Sequence, residues 1–136
     1  KGYKHTLKDL HIIATNKFPP QYANFFKAGD VVAQFAPNAI VCSRKPELLY
    51  ANSGIRGVNY METEDTALML QNMIDKNVNF VIFEQLGFSS SYYYLLPCLA
   101  KHKDIFTIVY ELDEPETFLF IFDKQKAAEW LKDNSK

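Results

Sequence analysis

The sequence predicts an α/β fold: a mainly parallel sheet of about five strands, covered by helices and finished by an antiparallel hairpin. Three observations carry this reading. Short unbroken apolar runs, "AIVCS" and "NFVIF", suit strands covered on both faces. They alternate with helix-spaced segments across short connections, the pattern of a parallel sheet. The last two β-rich runs, "FTIVYEL" and "TFLFIF", are separated only by "DEPE" and read as a hairpin. At 136 residues the chain suits one domain, with no repeat and no low-complexity linker.

The elements follow in order. "HTLKDLHIIATNKF" spaces Leu7, Leu10, Ile13 and Ala14 as a helix does, and Pro19-Pro20 ends it. Pro20 opens the next helix, where a missing N–H costs nothing. That helix puts Tyr22, Phe25, Phe26, Val32 and Phe35 on one broad face, and Gly29 inside it marks close packing. "AIVCS" is the first strand. "KPELLYANSG" is a short helix with Pro46 and Glu47 in its first turn and Gly54 as its carboxyl cap. "RGVNY" is a brief strand. Thr63 is the expected N-cap of the helix through "TALMLQNMIDKN", which buries Met69, Leu70, Met73 and Ile74. "NFVIFEQLG" is the clearest strand. A helix through "SSSYYYLLPCLAKH" follows, capped by a serine of 89–91. Pro97 kinks it or strands the Tyr93 carbonyl. After the hairpin, "KQKAAEWLKDNSK" is a polar helix anchored by Trp130 and Leu131. The order suits a three-layer Rossmann-like (flavodoxin-like) sandwich.

Several functions are excluded. The net charge of -1 gives no footprint for nucleic acid. Neither phosphate-cradling glycine motif is present, and there is no G-x-S-x-G elbow. Cys42 and Cys98 are not a C-x-x-C pair and read as small buried hydrophobes. His5, His11 and His102 fall in helices and read as surface residues. No metal site, cofactor or catalytic residue is expected.

In an open α/β sheet, ligands bind beyond the carboxyl ends of the strands, at the switch point. If the first and third strands are neighbours, that crevice is lined by Arg44, Lys45, Glu84 and Gln85. Two readings stand: a polar ligand site, or a structural Arg44–Glu84 contact, with the second weighing more. The run Tyr92-Tyr93-Tyr94 could stack on sugar rings, though tyrosines in succession around a helix more often divide between core and surface.

Arg44-Lys45-Pro46, Tyr50, Ser53-Gly54, Tyr60, "NVNFVIFE", Tyr94-Leu95-Leu96-Pro97 and Pro115 carry a resemblance in their order and spacing. Over about residues 21–122 the chain resembles the extracytoplasmic carboxyl-terminal domain of bacterial membrane glycosyltransferases, similar to dolichyl-phosphate-mannose protein mannosyltransferases and the lipid A aminoarabinose transferase. Such enzymes take a sugar from a polyprenyl-phosphate donor to a protein or lipid acceptor. Their catalytic carboxylates lie in a loop between early membrane helices. The resemblance therefore implies a non-catalytic periplasmic domain at the inner membrane, helping to shape the acceptor side. Its partners would be the transmembrane part of the same parent chain and a lipid-linked sugar or acceptor. Residues 1–18 would be the approach from the last membrane helix, and 19–136 the domain. Arg44, Lys45, Glu84, Gln85, Tyr50, Ser53 and Tyr94 become the binding or interface candidates. The two cysteines sit awkwardly with an oxidising compartment if unpaired. The alternatives are a free-standing Rossmann-like module binding a small anion or nucleotide through Arg44 and Lys45, and a pure interaction domain.

Overall fold

The computed structural model describes residues 18–135; the helix expected before Pro19 lies outside them. The first described helix, α1 (Pro20–Phe35), starts on a proline and buries Asn24, Phe25, Phe26, Ala28, Gly29 and Val32. Then come β1 (Ile40–Cys42), α2 (Pro46–Ser53), β2 (Arg56–Val58), α3 (Thr66–Asp75) and β3 (Phe80–Phe83). A π-helical turn, Ser91–Leu95, leads into α4 (Leu96–Lys101). The hairpin β4 (Phe106–Leu112) and β5 (Thr117–Phe122) precedes α5 (Lys124–Asp133).

The five strands form one sheet in the order β2-β1-β3-β5-β4. β1 pairs in parallel with both β2 and β3, while β3–β5 and β4–β5 are antiparallel. The five strands and the terminal antiparallel hairpin are as expected, but the sheet is mixed and not mainly parallel: its β2-β1-β3 end is parallel and its β3-β5-β4 end antiparallel. The reason lies in the hairpin. A short turn permits only antiparallel pairing. "TFLFIF" is the more apolar of its two strands and takes the inner place beside β3. "FTIVYEL", with Thr107 and Glu111 exposed, takes the edge.

Strand alternation feeds two cores. Val41, Ile82 and Leu119 join Phe25, Val32, Leu49 and Ile55 in one. Their neighbours Cys42, Val81 and Phe120 join Met69, Met73, Leu95, Cys98 and Ala127 in the other. A period of two along each strand sends successive residues to opposite faces.

Four local expectations change. Phe35 is 76% exposed instead of buried: it ends α1 and lies beside Val109 of β4 and Ile121 of β5, which are themselves 46% and 41% exposed. The N-cap of α3 is Asp65, whose carboxylate accepts from the Ala67 and Leu68 amides at 3.0 and 3.3 Å; Thr63 Oγ1 instead accepts from Asp65 N. No serine side chain caps the helical turn after β3. Pro97 neither kinks a regular helix nor interrupts one. The Leu96 amide bonds Ser91 O, five residues back, and this wider turn leaves Pro97 in the first turn of α4. A missing N–H is tolerated there.

His102 also departs from expectation, being only 2% exposed. It closes α4, with Nε2 3.0 Å from Thr66 Oγ1 of α3 and its ring edge-on to Trp130 of α5 at 4.5 Å. Burial, seconded by Lys101, lowers its pKa below the ordinary 6.5, with Asp104 opposing. The folded state thus binds this proton less readily than the unfolded chain. The stability tied to a neutral His102 is complete above about pH 6.5 and falls as the pH drops through that value toward the folded pKa. His102→Gln is expected to flatten the thermal midpoint profile between pH 7.5 and 5 relative to the parent. Superimposable profiles would contradict this.

Candidate functional site

The parallel strands β1, β2 and β3 all end at one edge of the sheet, and the β4–β5 turn lies at that same edge, since Phe83 pairs with Phe118. β1 leads through α2 to β2 on one side, while β3 lies on its other side. The gap between β1 and β3 is therefore the switch point.

Four predicted residues converge there. Arg44 and Lys45 leave β1, and Glu84 and Gln85 leave β3. The expected direct Arg44–Glu84 contact is not what joins them. Arg44 Nε donates to Ser90 Oγ at 3.1 Å. Ser90 Oγ lies 3.0 Å from Tyr60 Oη, which lies 3.0 Å from Ser91 Oγ. Ser91 donates to Glu84 Oε1 at 2.9 Å, and the other carboxylate oxygen accepts from the Leu86 amide at 2.9 Å. The two ends fix every proton between them. Arg44 can only donate, and a carboxylate can only accept. Ser90 therefore donates to Tyr60, Tyr60 to Ser91 and Ser91 to Glu84. Three hydroxyls, each giving one bond and taking one, connect a cation to a carboxylate that is 1% exposed.

The reason for an indirect link is steric and electrostatic together. Glu84 is enclosed, whereas Arg44 is half-buried with its guanidinium 4.8 Å from the Phe88 ring centre. Lys45 Nζ sits 5.1 Å from the same ring centre and 3.6 Å from Glu47. An aromatic face attracts cations, so Phe88 holds both charges at the rim instead of in the interior. Burial raises the Tyr60 pKa, against the lowering effect of its serine hydrogen bonds, and Glu84 raises it further. The phenol thus keeps the proton that the relay needs. Asn59, with its amide turned to donate, reaches Ser43 O and Arg44 O at 2.9 Å each and pins the start of the loop. The Ser43 hydroxyl is enclosed without a hydrogen-bond partner among the described residues.

The other candidates do not join the relay. Gln85 is at the edge but accepts from the exposed Tyr92 hydroxyl. Tyr50 is 63% exposed on α2. Ser53 bonds Leu49 O within its own helix, close to Gly29 of α1. Tyr94 packs on the larger core. Sequence reasoning passed over Tyr60, Phe88, Ser90 and Ser91 as site residues. The serine run was the available signal, and it was assigned to helix capping.

Cys42 and Cys98 are free and buried in one core, and burial pushes each thiol up to about 12. No group of residues suited to hold a metal occurs among the described residues, and no described helix is long and apolar enough to cross a membrane. No known protein family, curated protein or solved structure matches this chain.

The fold and this edge define an α/β domain whose strand ends are organised by an internal polar relay. The arrangement can present two cations at the surface. It also engages the buried carboxylate in hydrogen bonds to the protein itself.

Proposed function

We propose that the chain is a periplasmic accessory domain of a membrane glycosyltransferase, built on a three-layer Rossmann-like frame and not itself catalytic. The observation that carries the reading is the relay. Arg44, Tyr60 and Glu84, all within the pattern that resembles the transferase domains, meet in one hydrogen-bonded chain at the sheet edge. A carboxylate whose oxygens already accept from Ser91 and Leu86 is poorly placed as a general base, which needs reach to a substrate proton. Arg44 and Lys45, displayed on Phe88, face outward to meet the transmembrane part of the same protein or an acceptor. Buried thiols near 12 form almost no thiolate at neutral pH, so unpaired cysteines are compatible with an oxidising compartment.

The reading requires several apolar spans ahead of Lys1 in the parent gene product, and a start codon within a few residues of Lys1 would sink it. In membranes supplied with a polyprenyl-phosphate sugar, the parent enzyme carrying Arg44→Ala and Lys45→Ala is expected to raise the acceptor KM about tenfold, the scale of one or two lost charged contacts. The isolated chain should transfer nothing. Turnover by the isolated chain would overturn the assignment. Calorimetric binding of nucleotides or sugar phosphates, lost in Arg44→Ala, would favour a free-standing anion-binding module instead.

A further inference from the structure

The outer edge of the sheet has the marks of an interface. β4 is an edge strand of seven residues, and among the described residues no strand pairs with its outer side. Natural edges are commonly protected by charge, proline or a bulge. Here "FTIVY", Phe106–Tyr110, contains no charge and no proline. The strand's protection is limited to the bulge between Ile108 and Tyr110 and to the exposed charge of Glu111 near its end. Alternation turns Ile108 toward one face of the sheet and Val109 toward the other, the bulge leaves Val109 and Tyr110 on the same face, and Ile108 and Val109 both stay exposed, at 47% and 46%.

Apolar grooves flank the strand on each face. One, of about 440 Å³, runs between α4 and the hairpin and includes Leu96 and Ile108. The other, of about 380 Å³, runs between α1 and the hairpin and includes Phe35, Val109 and Ile121. Phe35, Val109 and Ile121 thus make one apolar band on one face of an uncovered edge, with Ile108 exposed on the other face. Scattered exposed apolar residues are ordinary, but a contiguous band marks an interaction surface.

Charge at the two ends of β4 selects the occupant. Lys101 and Lys103 lie at its start, with Asp104 beside them. Glu111, Asp113, Glu114 and Glu116 lie at its finish. A second copy laid parallel would set acidic end on acidic end. A second copy laid antiparallel sets each acidic end against the other's lysines. Antiparallel self-pairing is also what a two-fold axis produces, the commonest symmetry of homodimers.

We propose that β4 is a homodimer interface, two copies meeting antiparallel about Ile108–Val109, with Phe35 and Ile121 packed at its flank. The bulge shortens the regular ladder, so side chains in the grooves carry much of the contact. In this register Lys103 faces the partner's turn around Glu114. The inference is independent of the transferase reading.

Sedimentation of the full 136-residue chain over a concentration series tests it. Dimers should form in the micromolar range. Val109→Lys, at an exposed site that leaves folding intact, should weaken them by about tenfold or more. Lys103→Glu should weaken them by roughly fivefold, and adding Glu114→Lys on the same chain should restore them. Circular dichroism on each variant separates lost association from lost folding. A chain that stays monomeric at every concentration overturns the proposal, as does a dimer indifferent to Val109→Lys. A monomer whose β4 amides resist hydrogen exchange at every dilution places another segment of the same chain on the edge, and also overturns it.

Discussion

Glu84→Ala is expected to destabilise the fold by about 3 kcal/mol, the range found when a buried charged partner is removed. Two donors, the Leu86 amide and the Ser91 hydroxyl, lose their acceptor inside the protein. Ser91 in turn orients the Tyr60 hydroxyl, so the proton order of the relay loses its anchor. One term opposes this: a buried carboxylate is itself costly to desolvate, and its removal returns part of that cost. The unmet donors outweigh it because the Ser91 hydroxyl, on a residue 1% exposed, cannot turn to solvent. Tyr60→Phe removes one hydroxyl and two hydrogen bonds while keeping the ring, and should cost about 1.5 kcal/mol. The informative quantity is the double variant. If the hydroxyls form one network, the double variant costs about 1 kcal/mol less than the sum of the two single variants. Urea midpoints at constant m-value measure all three. Strict additivity, or a Glu84→Ala cost under about 1 kcal/mol, would dissolve the relay into unrelated contacts.

The relay also marks where reading the sequence stops. Element identity was legible because it rests on local pattern. Pro46 and Gly54 bracket α2 as expected, with Gly54 at φ 74° in the left-handed conformation a carboxyl cap needs. The apolar runs became strands, and Cys42 and Cys98 were buried as small hydrophobes. The crevice between β1 and β3 was legible only on the condition that those strands are neighbours: alternation places the strand ends, while their order comes from the fold. What was not legible depends on distance in space. Tyr60 and Ser90 are thirty positions apart and meet only because β2 and β3 end at one edge. His102 looked like a surface residue because its own helix is short and polar at that point. Its burial comes from Thr66 and Trp130, on two other helices. The antiparallel hairpin was legible from its short turn, but not that its second strand, β5, would lie beside β3 and make that pairing antiparallel as well, because which strand goes inside is settled by packing across the sheet.

Gly57→Ala is expected to cost about 3 kcal/mol, at the upper end of overpacking penalties, although Gly57 is only partly buried in a three-residue strand. A Cβ there would stand 2.7 Å from Pro46 Cβ, 3.1 Å from Pro46 Cα and 3.2 Å from Val41 O. Two of those atoms are backbone, and the third belongs to a proline ring whose position is fixed by the start of α2. Nothing nearby can rotate away. Gly29 makes the contrast. Its added Cβ would also meet an atom at 2.7 Å, but that atom is Leu49 Cδ2, the far end of a flexible side chain. Leu49 can turn, and alanine in mid-helix recovers up to about 1 kcal/mol over glycine. Gly29→Ala should therefore cost less than about 1.5 kcal/mol. The difference has a functional side. Relieving the clash at Gly57 means displacing Pro46, and with it Lys45 and Arg44, from their places on Phe88. Gly57→Ala should shift the Phe88 ring resonances as well as the unfolding midpoint, whereas Gly29→Ala should leave those resonances in place. Equal costs for the two substitutions, or an undisturbed Phe88 in Gly57→Ala, would mean that β2 does not set the position of the cation pair.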